Sequence, residues 1–259
     1  MTVAVLSDVH GNRQALEAVI ADATSQGAEV WWVLGDLVAI GPEPVPTLEV
    51  LANLPAVEIT RGNTDRYVLT DDRPRPDADE VVTDPTLLPL YALLQRSFAW
   101  TGGAVAACGW LDWLGDLPLE VSMTLPDGTT VLGVHATPGH DDGDGISPDR
   151  PAEDLRRDLA SCGAAIVIAG HTHLATDRVV GSVRAVNAGS VSNPITDDLR
   201  ASYVLVHSDR HGHHLEHRRV GYDRDGFLAA VARSGHPASE YIASFQRGEQ
   251  VRHRPSGRA

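Results

Sequence analysis

Five stretches of this chain place oxygen or imidazole donors directly after an apolar run. Asp8 and His10 follow Leu6, Asp36 follows Leu34, Asn63 follows Ile59, His135 follows Val134, and His171 and His173 follow Ala169. Taken singly, most are weak signals, since an Asp after a strand is often only a helix N-cap. Gly170-His171-Thr172-His173 is stronger, because two histidines at i and i+2 beyond a buried strand serve no packing purpose. Together, in order and each at the end of an apolar run, the five make a joint signal for metal binding. Seven donors without a thiolate suit two hard or borderline divalent ions such as Mn, Fe or Zn. One bridging carboxylate would hold such ions ~3.5–4 Å apart, where they lower the pKa of a bridging water and clamp phosphate oxygens. That chemistry needs no side-chain nucleophile. None is evident: there is no Gly-x-Ser-x-Gly, and Ser190 has no motif partner.

The donors converge only if the runs before them are strands of neighbouring sheets. Residues 3–6, 30–34 and 57–60 read as buried strands, separated by a helical spacing over 12–25 and a short helix over 47–54. That β-α-β-α-β order predicts a parallel sheet with right-handed crossovers, and such sheets bind ligands at the carboxyl ends of their strands. Residues 70–85, rich in Asp and Pro, read as a surface loop. The apolar stretch 87–117 reads as two helices broken at Gly102-Gly103, with aromatic residues packing on the sheet and a place over the cleft. A hairpin over 119–125 and 130–134 turns at Pro126-Asp127-Gly128. Residues 137–151 read as a loop, 151–160 as a helix, and 165–169, 178–186, 202–207 and 214–220 as strands. Helices over 224–246 close a single domain spanning 1–247, and the polar tail 248–259 is expected to fray.

Composition bounds the partners. With 35 acidic and 21 basic residues, the formal net charge is -14, a field that repels long nucleic acid but admits a small phosphate held through metal ions. Every basic residue is arginine, which excludes lysine Schiff-base chemistry and a Walker-type phosphate loop. Cys108 and Cys162 stand apart, so neither a disulfide nor a zinc-thiolate site is expected, and a reducing cytoplasm fits. The first residues carry no basic region of a signal peptide, and no run approaches ~18 apolar residues, so a cytoplasmic protein without a membrane span is expected.

The order Asp8-x-His10, Gly35-Asp36, Gly62-Asn63, His135, Gly170-His171-x-His173 resembles the calcineurin-like metallophosphoesterase superfamily. SDVHGNRQALEAVI, GDLVAIGPEPVPTLEVL, NAGSVSNP and VGYDRDGF are similar to its small bacterial predicted phosphodiesterases, and the likeness runs to about residue 246. The resemblance implies an α/β fold, a four-layer αββα sandwich of two mixed sheets with the metals at their shared edge. It also implies that Asp8, His10, Asp36 and His173 hold one ion, that Asp36 bridges, and that Asn63, His135 and His171 hold the second. The implied activity is in-line attack on a small phosphodiester, a nucleotide among the candidates, by hydroxide bridging the two ions.

Three residues around that set bear on activity. Most superfamily members carry a histidine after the asparagine that protonates the leaving group, and here the residue is Thr64. Its loss removes the ~10²–10⁴-fold of general acid catalysis and favours leaving groups that depart without a proton. His140, five residues after His135, is the candidate replacement acid, weighed against a solvated loop histidine. Arg61 is a candidate phosphate contact, weighed against a surface ion pair. Asp141, Asp142, Asp144 and Asp149 read as a flexible acidic lip. The alternatives are a phosphomonoesterase or phosphoprotein phosphatase, and a non-catalytic metal-dependent nucleotide sensor or scaffold. Oligomeric state does not follow from the sequence.

Overall fold

In a computed structural model of the protein, the residues described are 1–250. Strand β1 (Thr2–Leu6), helix α1 (Arg13–Ser25), β2 (Val30–Leu34), α2 (Pro44–Ala52) and β3 (Val57–Thr60) follow in the expected β-α-β-α-β order. β2 lies parallel to β1 on one side and to β3 on the other. Four helices follow: α3 (Asn63–Leu69), α4 (Ala78–Thr83), α5 (Leu88–Ala107) and α6 (Leu111–Gly115). A second sheet is then built from β4 (Glu120–Thr124), β5 (Thr130–Val134), β6 (Ile166–Ala169), β7 (Thr176–Val180) and β8 (Val183–Asn187), with α7 (Ala152–Leu159) between β5 and β6. The long hairpin β9 (Ala201–Asp209) and β10 (Gly212–Val220) returns to the first sheet, and α8 (Arg224–Ser234) and α9 (Ser239–Gln246) end it. The strand orders are β10-β9-β1-β2-β3 and β4-β5-β6-β8-β7.

The four layers follow from strands that are apolar on both faces. Alternate side chains of a strand point to opposite sides. Val3 and Val5 of β1, Trp32 and Leu34 of β2, and Ile166 and Ile168 of β6 fill one core between the sheets. Ala4, Leu6, Trp31 and Val33 face outward into a second core with Leu16, Val19, Leu48 and Leu51 of α1 and α2. Val167 and Ala169 face a third core with Leu155 and Leu159 of α7. Each fully buried aliphatic chain adds roughly 1.5–3 kcal/mol, so a strand buried on both sides is held in register from both. The fold is therefore the αββα sandwich of two mixed five-stranded sheets.

Local structure departs from the sequence reading in four places. Helix α5 runs through Gly102-Gly103 unbroken, with Gly102 on the side that faces Val68 of α3. The break comes instead at Gly109, in a left-handed conformation (φ +75°) that glycine adopts without cost. Within the expected loop 70–85, Asp77 and Glu80 form a reciprocal capping box that starts α4. The expected strand 178–186 is an antiparallel hairpin, β7 and β8, reversed at Gly181 (φ +65°). The expected frayed tail 248–259 lies, from residue 251 on, outside the described residues. No helix among the described residues is long and apolar enough to cross a membrane.

Candidate metal centre

The loops leaving β1, β2, β3, β5 and β6 meet at the shared edge of the two sheets, and backbone hydrogen bonds join them. Asp8 N–H donates to Gly35 O (3.1 Å), His10 N–H to Asp36 O (2.8 Å) and Gly170 N–H to His135 O (2.9 Å). Asp8, His10, Asp36, His171 and His173 all have left-handed backbones, with φ between +47° and +67°. Among the described non-glycine residues only Ala56 shares that region. Such conformations cost of order 1–3 kcal/mol each and persist where surrounding structure over-determines them, as at functional sites.

Each of the four histidines has one ring nitrogen against a main-chain carbonyl. His135 Nδ1 lies 2.7 Å from Leu34 O, His173 Nδ1 2.7 Å from Asn193 O and His171 Nε2 2.7 Å from Gly143 O, while His10 Nδ1 bonds Ala39 O. A carbonyl only accepts, so that nitrogen carries the proton and the neutral ring keeps its lone pair on the other. Those other nitrogens point inward. His10 Nε2 and His173 Nε2 are 3.2 Å apart, and His135 Nε2 and His171 Nδ1 lie 3.0 and 3.1 Å from Asn63 Oδ1. Asp36 offers one oxygen to each group: Oδ2 is 3.8 Å from His10 Nε2 and Oδ1 is 3.3 Å from His135 Nε2. Asp8 Oδ1 is 3.3 Å from His173 Nε2. Acceptors converging this closely in a buried place need positive charge between them.

The titration behaviour carries the same demand. Burial would raise the Asp36 carboxyl, but the facing His135 outweighs it and holds it well below the usual carboxylate range. Burial would likewise lower His135, yet Asp36, and after it Asp8, push it up to about 10. His173 is raised in the same way, its burial overcome by Asp8. His10 and His171 are lowered, in both cases chiefly by burial. A field that draws protons onto buried imidazoles also attracts a cation, and the mixed carboxylate, amide and imidazole donors fit a divalent one.

A family model described as the calcineurin-like phosphoesterase superfamily domain matches residues 1–211. The chain belongs to that superfamily. An uncharacterized protein of Methanocaldococcus jannaschii is 27% identical over 237 residues, covering 85% of this chain and 88% of that protein. Among solved structures, a metallophosphoesterase from Sphaerobacter thermophilus is 25% identical with a TM-score of 0.70, covering 96% of this chain and 99% of that one. A hypothetical protein from Pyrococcus horikoshii OT3 shares the fold at 22% identity and a TM-score of 0.75, covering 94% of this chain and 97% of the other. Among the described residues, Asp8, His10 and His173 form one group of candidate ligands and Asp8, Asp36 and His135 another, with donor atoms within 4.8 Å of each other in each group.

Several residues that support the candidate metal centre carry no motif in the sequence. Asp65, buried at the third position of α3, accepts from Gly62 N–H (3.0 Å) and Leu37 N–H (2.9 Å), tying the loops of Asn63 and Asp36 together. Burial, and then the charge of Asp36, push its carboxyl up to about 7. Asn187, at the end of β8, donates to Ile146 O (2.9 Å) and Thr172 Oγ1 (3.0 Å), fixing the Gly-His-x-His loop. The local clue for Asp65 is its place as an acidic residue in the first turn of a helix.

The remaining candidates of the sequence fall outside the inward set. Arg61 is turned toward Asp141, its Nε 3.7 Å from Oδ2, and lines a different cavity with Val68, Leu69 and Asp112. His140 is exposed and does not line the cavity at the donors. Two residues of the acidic lip are pinned: Arg66 Nε bonds both Asp141 oxygens at 3.0 Å, Arg66 Nη2 bonds Asp142 at 3.1 Å, and Tyr67 OH bonds Asp142 at 2.5 Å. Thr64 does face the donor cavity; its N–H donates to Asp36 Oδ1 (2.9 Å) and its hydroxyl to Ala39 O (3.3 Å). That cavity, about 240 Å³, has His10, Asp36, Asn63, His171 and His173 on one wall and Ile40, Leu94, Phe98, Tyr241 and Phe245 on the other.

Proposed function

We propose that this protein is a dinuclear metal-dependent phosphoesterase that hydrolyses small phosphodiesters. The observation that carries the reading is the pairing of inward lone pairs. His10 and His173 face each other at 3.2 Å, His135 and His171 share Asn63 Oδ1, and the two oxygens of Asp36 reach one group each. Asp8, His10, Asp36 and His173 would hold one ion, and Asn63, His135 and His171, with Asp36 as bridge, the other. Two divalent ions bound there would supply a nucleophilic water of lowered pKa and neutralise phosphate charge. The carbonyls of residues 34, 39, 143 and 193 hold each imidazole in the tautomer that can donate inward. Thr64 at the cavity wall offers a hydroxyl already donated to Ala39 O, so no strong acid stands where the leaving group departs. Phosphodiesters with good leaving groups are therefore favoured over monoesters of alcohols.

The test is hydrolysis of bis-p-nitrophenyl phosphate and p-nitrophenyl phosphate by metal-stripped protein reloaded with Mn, Fe or Zn, beside Asp36→Asn. Diester turnover that requires metal, exceeds monoester turnover and drops at least 100-fold in Asp36→Asn is expected. Protein that takes up two ions and cleaves neither compound would overturn the enzymatic reading.

A further inference from the structure

The donor cavity does not end at the metal ligands. Its apolar wall continues into a second cavity of about 410 Å³ between α5, α9 and the loop before α4, and Ile40, Pro74, Leu94 and Tyr241 line both. Together the two have the size of a small-molecule site, for which ~300–1,000 Å³ is usual. Beyond the shared residues, the second cavity is walled mainly by Leu90, Leu93 and Ala238. Its polar groups are largely spoken for: Arg75 pairs with Glu80 (2.9 Å) and Asp77 (3.6 Å), and the Ser97 hydroxyl lies 3.4 Å from His236 Nε2. That leaves the Tyr241 hydroxyl. A nucleobase edge needs several donors and acceptors, and burying it without them costs free energy for each unpaired group.

We infer that this apolar arm receives a hydrocarbon substituent of the substrate, so that the enzyme acts on phosphodiesters carrying an alkyl chain rather than on nucleotides. The inference rests on the phosphoesterase reading, since the arm opens onto the proposed metal ligands. Leu90 is 48% exposed and Tyr241 46%, so apolar side chains stand at the mouth uncovered, where a chain would remove them from water. The phosphate would sit at the donors and the chain would pass between Leu94 and Tyr241 toward Leu93.

The test is calorimetric binding of methyl-, hexyl- and octylphosphonate and of adenosine monophosphate to manganese-loaded protein. Hexylphosphonate is expected to bind at least tenfold more tightly than methylphosphonate, and adenosine monophosphate no more tightly than methylphosphonate. Leu93→Glu and, separately, Leu90→Glu should reduce the chain-length preference below threefold. Leu90 is exposed enough that its variant carries the test if Leu93→Glu does not fold. Equal binding of the three phosphonates, a preference that survives both variants, or tighter binding of the nucleotide would each overturn the arm. Titrations with manganese, iron and zinc without phosphonate separate the two levels: no uptake of any of the three sinks the phosphoesterase reading, whereas uptake with equal phosphonate binding sinks only the arm.

Discussion

His10 Nε2 and His173 Nε2 face each other at 3.2 Å while the Nδ1 of each is spent on a main-chain carbonyl, Ala39 for one and Asn193 for the other. Two neutral imidazoles so arranged present lone pair to lone pair. The pair is unfavourable without a proton or a cation between the rings, and the same holds where His135 and His171 meet Asn63 Oδ1.

Filling these positions should therefore stabilise the fold. A ligand at 100 times its Kd adds about 2.7 kcal/mol, which for a domain of this size raises Tm by about 5–10 °C. Thermal melts of metal-stripped protein with and without Mn or Zn read this directly. His173→Ala should lose at least half of the increase. An unchanged Tm on adding metal would contradict the cation requirement.

Gly62 cannot carry a side chain. A Cβ there would lie 2.2 Å from Asp36 Oδ1 and 2.3 Å from the Asp36 nitrogen, so the loops of β2 and β3 would have to separate. Gly62→Ala is expected to destabilise by about 1–3 kcal/mol and to lower metal uptake, measured by urea unfolding and by metal analysis of the purified variant. A variant of ordinary stability with full metal content would show that the loops yield freely.

Thr64 stands at the cavity wall where a histidine would face the leaving group. Thr64→His should raise turnover of phenyl phosphate, a poor leaving group, by up to ~10²-fold. Bis-p-nitrophenyl phosphate, whose nitrophenolate departs without a proton, should change little. Kinetics with both substrates distinguish added acid catalysis from a general change in activity, which would move both together.

His236, buried beneath α5, accepts the Ala238 N–H at Nδ1 (3.0 Å) and stacks edge-on against Trp100 at 4.6 Å. Protonation would destroy that acceptor, and burial lowers its pKa to about 4 from 6.5. The group is depressed in the folded state, so its contribution is fully present above pH 6.5 and is lost as pH falls toward 4. The loss should amount to about 2–3 kcal/mol. His236→Gln should flatten the dependence of the urea midpoint between pH 4.5 and 7, and an equal slope in both proteins would show that His236 does not carry it.

Much of this fold and of its candidate site was legible in the chain. The spans 30–34 and 57–60 are those of β2 and β3: the bulky apolar run of β2, buried on both faces, admits only a sheet interior, and β3 pairs beside it as the edge strand. The donors after each strand are local features, and parallel strands bring their carboxyl ends to one edge by topology alone. Helix α4 was also legible, in its Asp77 and Glu80 caps, but the Asp and Pro around it pointed to a loop. The continuity of α5 through Gly102-Gly103 was not, since paired glycines weaken a helix locally and only packing against the rest of the fold keeps it continuous.

The sequence by itself determined which residues follow the strand ends and that the first third is a parallel β-α-β-α-β unit, for both depend on patterns a few residues long, whereas the two-sheet sandwich was implied by the family resemblance. Tertiary structure alone decided how those residues are used. His135 takes its tautomer from Leu34, 101 positions away, and His10 faces His173 across 163. Arg61 is drawn to Asp141, Arg66 fastens the acidic lip, and α5 and α9 meet to form the apolar arm. Such pairings join distant parts of the chain, and no local spacing encodes them.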